Sequence, residues 1–168
     1  EEPLDAYDAE GHAALAAAGV GAGDEVILTP LTDYGSVVGI LQLNAIPVFC
    51  DVAAGTMLMD PADMERRITR HTKAIMPIHI GGYVADMPRI MRIARRRRVV
   101  VIEDAAQCHL AEIGGRYAGT WGDFGCFSTN ESKHMKSGEG GFLFARRAAD
   151  ASYADLFADK CYRRTPEQ

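Results

Sequence analysis

The chain has 168 residues, with 18 Lys+Arg against 23 Asp+Glu and a formal net charge of −5. Hydrophobic residues make up 48% and charged residues 24%, ordinary globular proportions that exclude global disorder, collagen-like repeats and a coiled coil. A mild acidic excess argues against general nucleic-acid binding, which needs clustered positive charge, and the length fits one domain.

The four cysteines, Cys50, Cys108, Cys126 and Cys161, form no C-x-x-C pair. They read as small buried apolar residues in a reducing, cytoplasmic compartment rather than as a zinc site. The five histidines show no metal-ligand spacing, so no metal is expected. No apolar run reaches ~18 residues, so no membrane-spanning helix is expected. The acidic start, Glu1-Glu2-Pro3-Leu4-Asp5, lacks the basic region of a signal peptide.

Helical and strand patterns alternate along the chain. An Ala-rich stretch predicts a helix over His12–Ala18. A turn signal, Gly21-Ala22-Gly23-Asp24, precedes a strand at Glu25–Leu28 that stops at Pro30. Val37, Val38, Ile40 and Leu41 predict a helix over Tyr34–Asn44, followed by a strand at Ile46–Cys50. Asp60-Pro61 opens a helix with an N-cap and a proline at the first position. The apolar run Ala74–Ile80 predicts a strand in which Pro77 removes a ladder hydrogen bond. Asp86-Met87-Pro88 opens a further helix with Ile90, Ile93 and Ala94 at helical spacing. Val99–Ile102, all β-branched, is the pattern of a strand covered on both faces. Gly125–Ser128 and Gly141–Phe144 are weaker strand patterns, and a last helix runs from about Arg147 to Cys161. This alternation predicts a three-layer α/β/α domain with a mostly parallel sheet, whose ligands bind beyond the carboxyl ends of the strands.

Asp104 directly follows the Val99–Ile102 strand, where it suits either a cap for the next segment or contact with a ligand. Lys133 follows the strand ending at Ser128 and precedes Gly138-Glu139-Gly140-Gly141. A lysine there is a Schiff-base nucleophile if its pKa is depressed and a solvated surface cation otherwise; Lys136 is its neighbour and rival. Arg95–Arg98 ends a helix, where positive charge complements the dipole. The glycine-rich turns match neither the dinucleotide fingerprint nor the P-loop. His79 reads as a satisfied core residue. His109, two residues after Gln107, is placed to face the same site as Asp104.

These segments form an ordered series: Gly23-Asp24-Glu25-Val26-Ile27, Asn44-Ala45-Ile46-Pro47-Val48-Phe49, Arg70–Ile75, Ile80-Gly81-Gly82, Glu103-Asp104-Ala105-Ala106-Gln107 with His109, Phe127-Ser128 with Lys133, and Gly138–Gly141. The series resembles the DegT/DnrJ/StrS family of sugar aminotransferases, pyridoxal-phosphate enzymes of the aspartate aminotransferase fold. By that resemblance, Lys133 matches the lysine that forms the internal aldimine and Asp104 the carboxylate that pairs with the pyridine nitrogen. Gln107 matches a residue beside the phenolic oxygen, Ser128 a phosphate ligand, and Tyr34 the aromatic ring that stacks on the pyridine.

The chemistry explains each residue type. Pyridoxal phosphate draws carbanion electrons into its ring, which works best with a protonated ring nitrogen beside a carboxylate. The displaced lysine is a base that moves a proton between Cα and C4′. The implied reaction transfers an amino group from glutamate or glutamine to a nucleotide-linked keto-sugar or to a cyclitol ketone, in a homodimer. The resemblance also implies that residues 1–168 are part of the large domain, without the family's N-terminal segment and C-terminal small domain. Counting back from Gly19-Val20 places the family's Gly-Thr phosphate turn at Tyr7-Asp8, neither of which is Gly or Thr. Two other readings stand beside this one. One is a non-catalytic or regulatory protein that keeps the fold. The other is a sugar dehydratase relative, in which histidine replaces the lysine; His134 adjoins Lys133, but the spacing from Ser128 selects Lys133.

Overall fold

The computed structural model describes residues 9–159. Six strands form one sheet in the order β2-β1-β3-β4-β7-β8: β1 (Glu25–Leu28), β2 (Ile46–Phe49), β3 (Thr72–Ile75), β4 (Val100–Asp104), β7 (Phe124–Ser128) and β8 (Gly141–Ala145). All neighbours are parallel except β7 and β8, which form an antiparallel hairpin. Helices α1 (Ala9–Ala17), α2 (Tyr34–Gln42), α3 (Pro61–Arg67), α4 (Met87–Arg97) and α5 (Ala148–Ala158) supply the covering layers.

Alternation along the strands sorts the core onto two faces. Val26, Leu28, Ala74, Met76 and Ile102 join Leu15 of α1 and Ile40 of α2 in one cluster. Ile27, Ile75 and Val101 join Met64 of α3 and Met87, Ile90 and Ile93 of α4 in the other. The sheet is therefore buried on both sides, as the β-branched run at Val99–Ile102 predicts. The α/β/α expectation is borne out.

Local chemistry sets the boundaries. Asp33, Asp60 and Asp86 each cap a helix, accepting from Gly35 N, Ala62 N and Arg89 N. Helix α4 ends at Arg98, which is left-handed with φ +59°. The run Ala74–Ile80 is a regular strand only to Ile75. Beyond it, Pro77 donates nothing, but its carbonyl accepts from Asp104 N at 3.0 Å, and His79 N donates to Asp104 O at 2.9 Å. The segment thus stays beside β4 past its regular end. Helix α1 begins at Ala9 rather than His12; Tyr7-Asp8 and Cys161 lie outside the described residues.

A two-stranded hairpin, β5 (Glu112–Ile113) with β6 (Arg116–Tyr117), is an element the periodicity did not indicate. Its turn is Gly114-Gly115, with φ +59° and +74°, the conformation a two-residue hairpin turn requires.

Candidate active site

Strand direction places the candidates on one edge. Strands β1, β4 and β7 are parallel, so the start of α2 after β1, Asp104 at the end of β4, and Ser128 at the end of β7 share the carboxyl edge of the sheet. The β7–β8 hairpin loop (129–140) leaves from this edge and returns to it, carrying Lys133. Strand order reverses between β1 and β3, since β1 leads to β2 on one side and then to β3 on the other. Such a reversal opens a crevice at the carboxyl ends of an α/β sheet.

Asp104 is half-buried. Its Oδ1 accepts from Ala106 N at 3.1 Å and its Oδ2 from Ser36 Oγ at 2.8 Å. No helix follows it, so its capping is confined to this turn. Ser36 has one hydroxyl hydrogen and gives it to Asp104. The 2.8 Å contact between Thr32 Oγ1 and Ser36 Oγ must therefore run from Thr32 to Ser36. Two hydroxyls in series orient the carboxylate. The sequence reading missed both. The available signal was the Thr32-x-x-x-Ser36 spacing, which puts two hydroxyls near the N-terminus of α2, on the same edge as Asp104.

Behind Asp104, Glu103 and His79 are fully buried. Glu103 accepts from His79 Nε2 at 2.9 Å, Gly119 N at 2.8 Å and Gly122 N at 2.6 Å. His79 Nδ1 accepts from Ala85 N at 3.2 Å, so the ring hydrogen sits on Nε2 and faces Glu103. The histidine is satisfied in the core, as expected, and the pair anchors the end of β4. Gly125 allows this packing: a Cβ there would lie 1.9 Å from the Gly119 carbonyl oxygen.

Gln107 Oε1 accepts from Gly81 N at 3.0 Å, which leaves its amide hydrogens to donate. Ser128 Oγ accepts from Asn130 N at 3.4 Å and keeps its own hydrogen for another acceptor. The Tyr34 ring is 65% exposed and free to stack on a planar group. Lys133 is half-buried, and its charge is one of the influences that lower the His109 pKa. Desolvation is the largest of these, then His134, then Lys133, with the Ser128 backbone opposing them. The structure thus joins Asp104 to the α2 start through Ser36 and brings His109 near Lys133.

The donor set fits a planar, anionic, aldehyde-bearing cofactor. It combines a carboxylate for a protonated ring nitrogen, a primary amine, an exposed aromatic ring, and a hydroxyl with a free hydrogen. No group of three or more His, Cys, Asp or Glu suited to a metal ion occurs among the described residues.

The fold is that of the α/β class of pyridoxal-phosphate-dependent aminotransferases. A solved structure of NtdA from Bacillus subtilis, described with bound cofactor PMP, superposes with a TM-score of 0.82 at 30% identity over 89% of this chain and 34% of that one. The chain belongs to the DegT/DnrJ/EryC1/StrS aminotransferase family, whose model matches residues 10–168. A Streptoalloteichus tenebrarius protein assigned as an L-glutamine:3-amino-2,3-dideoxy-scyllo-inosose aminotransferase is 49% identical over 130 residues, 77% of this chain and 31% of that protein. The L-glutamine:2-deoxy-scyllo-inosose aminotransferase of Streptomyces kanamyceticus is 46% identical over 152 residues, 89% of this chain and 36% of that protein. The matched stretch is thus about a third of the length of these relatives.

Proposed function

We propose that this chain is part of the cofactor-binding domain of a glutamine-dependent aminotransferase that uses pyridoxal phosphate and aminates a cyclitol ketone. The observation that carries the reading is Asp104, held by Ser36 at the end of β4 on the edge that also bears Ser128 and the Lys133 loop. The two curated relatives named above support L-glutamine as donor and a scyllo-inosose ketone as acceptor, in preference to a nucleotide-linked keto-sugar.

In this reading each residue has a stated task. Asp104 holds a proton at the cofactor's ring nitrogen, and Thr32 and Ser36 keep its carboxylate aimed there. Lys133 would hold the cofactor through its amine and, when free of it, would be the base that moves a proton at the substrate carbon. Gln107 donates its amide hydrogen to the phenolic oxygen, Ser128 donates to the phosphate, and Tyr34 covers the ring face. When bound, the cofactor supplies the electron sink for the carbanion.

A homodimer and a reducing, cytoplasmic setting belong to the same proposal. Supporting the second, Cys50, Cys108 and Cys126 are buried thiols, and no helix among the described residues is long and apolar enough to cross a membrane.

The test is a visible spectrum of the protein with pyridoxal phosphate, before and after borohydride, beside Lys133→Ala. The expected result is a cofactor band that borohydride fixes on Lys133 and that the variant lacks. Amino transfer from glutamine to 2-deoxy-scyllo-inosose then tests the substrate class; retention of the band in Lys133→Ala overturns the lysine assignment.

A further inference from the structure

The least satisfied group on this edge is His109. Neither Nδ1 nor Nε2 has a hydrogen-bond partner, and both atoms are sealed from solvent. A neutral imidazole carries one donor and one acceptor, and leaving both unmet in a buried site is costly. The next residue, Leu110, takes φ +60° and is 79% exposed.

The surroundings name the missing partner. The His109 ring lies 5.8 Å from that of Phe127 and 6.3 Å from that of Phe142, neither of which can hydrogen-bond to it in the ring plane. The remaining ring is His134, at 5.6 Å and 66°. Two imidazoles joined by a hydrogen bond of about 2.9 Å between nitrogens have centroids roughly 5 Å apart, so a small ring rotation closes the contact. A neutral imidazole offers one nitrogen that donates and one that accepts, so His109 can receive an N–H from His134.

His134 is exposed and adjoins Lys133. The base of its loop is pinned by Ser137 N to Thr129 O at 2.8 Å and by Asn130 Nδ2 to Glu139 Oε1 at 2.9 Å. Toward its tip, Lys133 N donates to Asn130 O at 2.9 Å and Ser132 N and Oγ donate to Asn130 Oδ1 at 3.0 and 3.1 Å, all bonds within the loop itself. The contact that ties the tip to the strand ends is the His134 ring against His109.

Resting on the reading of Lys133 given above, we infer that His134 donates a hydrogen bond to His109 and that this clasp holds the Lys133 loop against the strand ends. Both histidines are positioning residues: they act on the placement of Lys133 and touch no reacting atom. Burial, the neighbouring ring and the Lys133 charge all keep His109 neutral, the state in which it accepts.

The test compares the unmodified protein with His134→Leu, His134→Gln and His109→Phe. Glutamine keeps an N–H donor, leucine does not, and phenylalanine fills the aromatic cage without polar atoms. Amide hydrogen exchange across residues 129–140 needs no cofactor. Exchange is expected to quicken about fivefold in His134→Leu and His109→Phe, the equilibrium worth of one net hydrogen bond, and to return most of the way in His134→Gln. The ring nitrogen shifts of His109 show an accepting nitrogen that loses its partner in His134→Leu. The rate at which pyridoxal phosphate becomes fixed on Lys133 follows the same order. Exchange within twofold of the unmodified protein in His134→Leu, or no recovery with glutamine, overturns the clasp. His134 is exposed, so this pair decides even where His109→Phe does not fold. Cofactor fixation that survives Lys133→Ala overturns the underlying reading instead, whatever the exchange shows.

Discussion

Ser36 and Asp104, 68 residues apart in sequence, are joined by a 2.8 Å hydrogen bond in which the serine donates. The bond ties the start of α2 to the end of β4, and Thr32 fixes the direction of the donor. A hydrogen bond to a charged group contributes about 1.5–3 kcal/mol, and water at a half-buried carboxylate offsets part of that. Ser36→Ala is expected to raise the dissociation constant for pyridoxal phosphate about tenfold, near 1.4 kcal/mol, with a smaller effect from Thr32→Val, which removes only the orienting bond. A spectroscopic titration checks both. Unchanged affinity in Ser36→Ala would mean that Asp104 needs no help to meet the ring nitrogen.

Glu103 carries the structural half of the same strand end. Its three donors are all N–H groups in a fully buried place, so the ionised carboxylate is the form that satisfies them. Glu103→Gln keeps the shape but turns amide hydrogens toward backbone hydrogens. Removing one partner from a buried charged network costs about 3–5 kcal/mol, and a loss of that size is expected in the denaturant midpoint. A change below about 1 kcal/mol would show that the network tolerates an amide and is weaker than its burial implies.

These two acids show what the sequence could and could not reveal. The β-branched run ending at Ile102 placed Asp104 at a carboxyl edge, and the hairpin strands bracketed the Lys133 loop. The caps at Asp60 and Asp86 were legible because capping is local. Ser36 and His79 were not assignable to Asp104 and Glu103, because those pairings depend on which strands become neighbours. The β5–β6 hairpin escaped because strands of two residues carry no period; only the Gly114-Gly115 dipeptide marked it. His109 was readable as a site residue from its distance to Gln107, but its unmet nitrogens are a property of packing alone.

Glycine at 125 is a steric requirement. A Cβ there would approach Gly119 O to 1.9 Å, and a Cβ on Gly119 itself would lie 2.2 Å from the Phe127 ring, at φ +79°. Backbone cannot yield as a flexible side chain does, so Gly125→Ala is expected to cost at least the ~3 kcal/mol upper end of ordinary overpacking. Gly21→Ala is the control. Nothing lies within 4 Å of its Cβ and its φ is not positive, so a change between neutral and about +1 kcal/mol of added stability is expected. Thermal unfolding of the two variants separates steric demand from glycine content, and equal effects would remove the steric argument.

Glu10 tests the electrostatics around Asp104. It stands in the first turn of α1, and a Cβ on Gly141 would lie 2.1 Å from its Oε1, so the carboxyl is packed against β8. Burial pushes its pKa above the usual 4.5, its own backbone N–H partly opposes this, and the charge of Asp104 adds to the rise. A raised folded-state pKa means that the protonated form is favoured by folding. Its stabilising contribution is full below the unfolded value and is lost as pH rises through the folded one. Glu10→Gln, which cannot ionise, is therefore expected to melt at a higher temperature than the unmodified protein at pH 8. The gap should narrow as pH falls through the folded pKa and close below the ordinary carboxylate range. Melting curves from pH 4 to pH 8 give the comparison. A variant less stable than the unmodified protein at pH 8 would mean that the α1 N-terminus favours the ionised carboxylate more than burial and Asp104 oppose it.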